Sequence, residues 1–162
     1  MPAGPDTTAM QLKQRLAQLN LKLPPVAPAV ADYIPALRVG NFVYVSGQLC
    51  MRDGSLMACG AVPSQVTLAD AQAAARQCAL NALAAVDHVL EGDWSNFQQI
   101  VRLGVFVYSD SDFDQQHQVA NGASELLGQI FGEQGKHVRA AVGAASLPLG
   151  ATVEAELVVA LK

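Results

Sequence analysis

Three charged residues near the C-terminal end are the best placed to do chemistry. Arg139 stands in His137-Val138-Arg139-Ala140-Ala141-Val142-Gly143, and Glu154 and Glu156 stand in Val153-Glu154-Ala155-Glu156. Both stretches alternate as strands do, with successive side chains on opposite faces. Leu147-Pro148-Leu149-Gly150 separates them, so the two read as arms of a hairpin-like unit. If Val153, Ala155, Leu157, Val159 and Leu161 face the core, Glu154 and Glu156 point the other way. Arg139 is opposed in the same manner to Val138, Ala140 and Val142. One arginine and two carboxylates are therefore expected to share a sheet face. An arginine fork can hold a planar carboxylate at two points, which a lysine cannot, and a nearby glutamate can orient water and carry a proton. The plainer alternative is an interface ion pair. Glu156 is assigned a structural role, pairing with Arg139 or Arg102.

Other reactive side chains form no comparable set. Cys50, Cys59 and Cys78 are odd in number and contain no Cys-x-x-Cys pair, which disfavours a disulfide framework or a zinc site. Cys78 reads as a small core residue, whereas Cys50 and Cys59 flank a loop. His88, His117 and His137 lack metal-ligand spacing. No metal and no cofactor is expected.

Ten Lys plus Arg against 14 Asp plus Glu give a formal charge of -4, and no basic cluster occurs, which disfavours a nucleic-acid partner. No apolar run approaches a membrane span, and Met1-Pro2-Ala3-Gly4-Pro5-Asp6 lacks the pattern of a signal peptide; no membrane association and a cytoplasmic location are the expectation. A hydrophobic fraction of 51% with 15% charged residues and mean hydropathy of +0.24 is apolar for a monomer of this size, and the surplus points to a subunit interface.

The elements that must position these residues follow from periodicity. Residues 1–162 read as one domain. Residues 1–31 form an N-terminal extension: Leu12, Leu16 and Leu19 mark a short amphipathic helix with Thr7 or Thr8 as cap, and Leu23-Pro24-Pro25-Val26-Ala27-Pro28 is an extended connector. Asp32 to Val39 reads as an edge strand, turning at Gly40-Asn41 into Phe42-Val43-Tyr44-Val45-Ser46. Gly47-Gln48 marks a bulge or a close backbone approach, and Met51 to Ser55 a turn. Thr67 caps a long alanine-rich helix that stops near Gly92. Ile100 to Tyr108 is a strong strand candidate, and Ser109-Asp110-Ser111-Asp112 opens a second helix over Phe113 to Phe131. Hairpin, helix, strand, helix and two strands add up to an α+β sandwich with the helices on one sheet face.

The combination of Gly40-Asn41, Val45-Ser46-Gly47-Gln48, Phe106-Val107 before Asp112-Phe113, Arg139, Leu147-Pro148 and Val153-Glu154-Ala155-Glu156 resembles the Rid (YjgF-type) family, from about Tyr33 to Leu161. That resemblance implies a chorismate-mutase-like α+β fold with a mixed β-sheet and two long helices packed on one face. It also implies a homotrimer with ligand clefts between subunits. By resemblance the activity is hydrolytic deamination of enamines and imines, with a small carboxylate-bearing metabolite as partner. Arg139 is then the carboxylate clamp and Glu154 the water-positioning group, with Tyr33, Ser46, Gly47, His117 and Ala141 lining the cleft. His117 falls where many family members have an asparagine, and His137-Val138 replaces the Pro-Ala that often precedes the arginine. A trimer that binds carboxylates without turnover is the second reading; an RNA-directed endoribonuclease is the weakest.

Overall fold

The computed structural model describes residues 8–28 and 31–162. Thr7 and the segment before it lie outside those residues, as do positions 29 and 30 of the connector. The chain forms α1 (Thr8–Gln18), β1 (Ala36–Val39), β2 (Phe42–Leu49), β3 (Met51–Arg52), β4 (Ser55–Leu56), α2 (Leu68–Val89), β5 (Phe97–Tyr108), α3 (Gln116–Phe131), β6 (Val138–Ala144) and β7 (Val153–Leu161). Five strands make one mixed sheet in the order β1-β2-β7-β5-β6, and β3-β4 is a separate ribbon. All neighbours in the main sheet are antiparallel except β5 and β6. Parallel neighbours need a crossover, and α3 supplies it. The expected α+β arrangement, two long helices on one face of a mixed sheet, is the one observed.

Small residues bring the layers together. Ala71, Ala74, Ala75, Ala79 and Ala82 of α2 have no exposed surface and pack under a sheet face carrying Val43, Leu103, Val105, Val107, Val153, Ala155, Leu157 and Val159. A Cβ at Gly122 of α3 would overlap the Gln72 carbonyl of α2, so the two helices cross at glycine distance. Thr67 caps α2 as expected, its Oγ1 accepting from the Asp70 N–H at 3.1 Å. In the extension, Leu12 and Leu16 are buried and Leu19, Leu21, Leu23 and Val26 pack against the core, which fits a connector laid across the domain. Among the described residues no helix is long and apolar enough to cross a membrane.

Four local expectations are corrected. The first strand covers only Ala36–Val39, because Pro35 has no N–H to donate, although its carbonyl still accepts from Ser46 N–H at 2.9 Å. Residues 51–56 are not merely a turn, since Met51–Arg52 and Ser55–Leu56 pair around it. The second long helix begins at Gln116, not Phe113, and has no side-chain cap. Asp110, expected in that capping cluster, instead accepts from the backbone N–H and hydroxyl of Ser64, at 3.1 and 3.0 Å. Of the three cysteines, Cys50 and Cys78 are buried and Cys59 is exposed.

The largest correction concerns β6 and β7. They are not a hairpin, because β5 lies between them. Their connection passes over the end of β5, where Tyr108 N–H donates to the Thr152 carbonyl and Ser109 N–H to that of Ala144, at 2.9 and 3.2 Å. The register across β5 then sets the faces. Leu103, fully buried on the helix side, is flanked by Arg139 and Leu157; Gly104 is flanked by Ala140 and Glu156; Phe106 is flanked by Val142 and Glu154. Arg139 therefore leaves the sheet on the helix side, and both glutamates leave it on the open side. The expected shared face does not exist within one chain. Alternation fixes which residues of a strand lie together, but the phase of one strand against another is set by their register.

Candidate active site

The first cluster of candidate residues gathers where the edge strand β6 meets α3. Arg139 Nη1 donates to Asn121 Oδ1 at 2.9 Å and to Ser124 Oγ at 3.0 Å, and Nη2 donates to the His117 carbonyl at 3.1 Å. His117, Asn121 and Ser124 follow the i, i+4, i+7 spacing that puts residues on one helix face. All three acceptors are uncharged, so among the described residues the guanidinium is held in place with its charge unopposed. Of its five N–H donors these bonds use three, leaving Nε–H and one Nη2–H to grip an anion at two points. Ala141 lies two residues along the same face of β6, partly packed on the core. His117 contributes its carbonyl to Arg139, and its ring is on an exposed residue.

The second cluster sits where β2 meets β7. Their ladder shifts register between Val45 and Gln48, so Ser46 and Gly47 form the bulge that the glycine signalled. A Cβ at Gly47 would overlap Glu154 Oε1, which places the carboxylate directly over the bulged backbone. Burial, and then the charge of Glu156, push the Glu154 carboxyl above its ordinary pKa. Ser46 donates its hydroxyl to the Ile34 carbonyl at 2.6 Å, pinning the segment that carries Tyr33. Tyr33 and Gly47 line a cavity of about 140 Å³ closed by Pro35, Leu49, Leu149 and the connector residue Pro28. On the open face a hollow of about 600 Å³ is lined by Tyr33, Tyr44, Ser46 and Glu156.

Glu156 resolves in favour of Arg102, whose Nη1 lies 2.6 Å from its Oε1. A Cβ on Gly104, next to this pair, would come within 2.7 Å of Glu156 Cγ. Beneath β7, Cys78 donates to the Val153 carbonyl at 3.4 Å and Cys50 to the Ala58 carbonyl at 3.5 Å. The neighbouring Cys78 thiol pulls the Cys50 thiol down to about 6 against the opposing effect of burial, while burial drives Cys78 upward. Neither sulfur-bearing residue has exposed surface, so low pKa at Cys50 does not amount to a reactive thiol. Among the described residues, no group of three His, Cys, Asp or Glu side chains is arranged to hold a metal.

The structure thus brings Tyr33, Ser46, Gly47 and Glu154 together, and separately Arg139, His117 and Ala141, on opposite faces of the sheet. Asn121 and Ser124 were missed in the sequence. Their signal is a polar stripe at helical spacing from His117, on the side of α3 that faces β6.

Comparison with known proteins covers nearly the whole chain. A family model described as "YjgF/chorismate mutase-like, putative endoribonuclease" matches residues 13–161. The chain is 41% identical over 147 residues to Protein TCP17 of Trypanosoma cruzi, covering 90% of this chain and 91% of that protein. Among solved structures, a protein of unknown function from Agrobacterium tumefaciens superposes with TM-score 0.88 at 43% identity, covering 95% of this chain and 94% of that one. A "putative endoribonuclease" from Shewanella oneidensis superposes with TM-score 0.89 at 32% identity, covering 93% and 99%.

Proposed function

We propose, from the premise that this chain belongs to the YjgF/chorismate mutase-like family, that it hydrolyses small 2-imino acids and their enamine tautomers to 2-oxo acids and ammonia. The observation that carries this reading is the state of Arg139: fixed by three uncharged acceptors, unopposed in charge, with two donors to spare. That is a prepared grip for a substrate carboxylate. Glu154 supplies the complementary function. A carboxyl with raised proton affinity takes a proton from water as the oxygen attacks the imine carbon, and returns it to the nitrogen as the carbon–nitrogen bond breaks. The hydrolysis is redox-neutral, so the reaction calls for no redox cofactor.

Because Arg139 and Glu154 leave opposite faces of one sheet, the active site in this reading joins Arg139 of one copy to Glu154 of another. The open sheet face exposes Phe42, Tyr44, Val138 and Val142, an apolar surface suited to burial between copies. The resemblance gives a homotrimer as that assembly. Tyr33, Ser46 and Gly47 then line the cleft on the Glu154 side, and His117 and Ala141 line it on the Arg139 side.

The test is ammonia release from 2-iminopropanoate generated by a coupled dehydratase. Faster release with the wild type and loss of the effect in Arg139→Ala are expected; no acceleration, with the variant indistinguishable, overturns the reading. The second reading, carboxylate binding without turnover, has its own support, since the Arg139 cluster is complete within one chain. Heat of binding with 2-oxo acids but no ammonia release would favour it. A net charge of -4 leaves the ribonuclease activity that some relatives are named for as the weakest reading here.

A further inference from the structure

Arg139 does not hold its position through Asn121 alone. Ser124 Oγ also touches His137 Nε2 at 2.9 Å, and His137 Nδ1 lies 2.6 Å from the Gly135 carbonyl. The hydrogens of this chain can be assigned from chemistry. A carbonyl only accepts, so Nδ1 carries the proton. In the neutral ring Nε2 is then an acceptor, and the serine hydroxyl must donate to it. A serine whose hydrogen is committed to Nε2 presents its lone pairs elsewhere, and one of them receives Arg139 Nη1. Every bond runs in one direction: guanidinium to serine, serine to imidazole, imidazole to carbonyl.

The far end of the chain is anchored. Gly135 is buried, and a Cβ there would overlap the Leu127 carbonyl of α3, so its backbone sits tight beneath the helix. His137 and Ser124 are half-buried between that anchor and the exposed guanidinium. We infer that His137 and Ser124 are positioning residues for Arg139, a relay in which the Nδ1–H tautomer of His137 fixes the Ser124 hydroxyl and so orients the carboxylate-binding fork. This rests on Arg139 being the carboxylate grip, as proposed above. The relay's role is ground-state orientation, so its loss weakens substrate binding and spares the chemical step at Glu154.

Two measurements test it on the full-length protein. The first is independent of activity: nitrogen NMR of histidine-labelled protein near pH 8, with the His137 signals identified by their absence in His137→Phe. A protonated Nδ1 and an unprotonated Nε2 are expected; the opposite tautomer overturns the relay. The second is steady-state ammonia release from 2-imino acids. Ser124→Ala should raise KM about tenfold, the worth of one hydrogen bond to a charged group, with kcat within a factor of two, and Ser124→Thr should restore KM. Unchanged KM in Ser124→Ala, or a fall in kcat that Ser124→Thr does not rescue, overturns it. Failure of the underlying reading looks different: Arg139→Ala would then leave KM unaltered while the tautomer could still be as assigned.

Discussion

Glu154 Oε1 occupies the space that a Cβ on Gly47 would need. The bulge in β2 and the carboxylate on β7 are thus one feature, since only a residue without a side chain lets the carboxylate lie on that backbone.

Gly47→Ala should force Glu154 aside. The carboxylate is the far end of a flexible side chain and can swing away cheaply, so Tm should change little, whereas activity should fall sharply because the carboxylate has left its place. Gly128→Ala is the control: nothing lies within 4 Å of a Cβ there, and removing a glycine from a helix should leave Tm unchanged or higher. Thermal unfolding of both variants, with ammonia release beside it, checks the pair.

Arg139→Lys keeps the charge and loses the fork. One ammonium cannot serve Asn121, Ser124 and the His117 carbonyl and still grip a carboxylate at two points. Binding of 2-oxo acids, measured by calorimetry, should weaken by about 1.5–3 kcal/mol, or roughly ten- to a hundredfold. Equal affinity of the two proteins would mean that Arg139 is not the grip.

Glu154 acts as a base only when ionised, and burial followed by the Glu156 charge raises its pKa. The acidic limb of the rate profile should therefore lie above the ordinary carboxylate range, with activity lost as pH falls through the raised value. Glu156→Gln removes the like charge and releases Arg102, both of which favour ionised Glu154, so the limb should move to lower pH. The fold should hardly notice, because the Arg102–Glu156 pair is about two-fifths exposed and such pairs contribute about 0–1 kcal/mol. Glu154→Gln should lower kcat by roughly a hundred- to ten-thousandfold.

Phe42→Asp and Val142→Asp place charge on the exposed apolar sheet face. If that face is buried between copies, each variant should have lower mass by light scattering, keep its helical circular dichroism, and lose turnover because Arg139 and Glu154 no longer meet. A wild-type protein that is monomeric and fully active would refute the shared site.

The amino-acid sequence by itself determined the elements and the chemical kinds of residue in play. Alanine-rich periodicity with the Thr67 cap gave α2, an apolar run gave β5, alternation gave β6 and β7, and Gly47 announced a close approach that Glu154 turned out to make. These are signals within a few residues of one another along the chain. Tertiary structure alone decided where they face. A Pro/Gly loop between two alternating runs looks the same whether the runs pair with each other or flank a third strand, and β5 lies between β6 and β7. Asp110 suits a helix cap locally, but Ser64 claims it from a distant part of the chain. Asn121 and Ser124 gain meaning only because the β5–α3–β6 crossover lays α3 along the edge strand that bears Arg139. The register across β5 then puts Arg139 and Glu154 on opposite faces, because side-chain direction alternates with every residue and a shift of one would have reversed it.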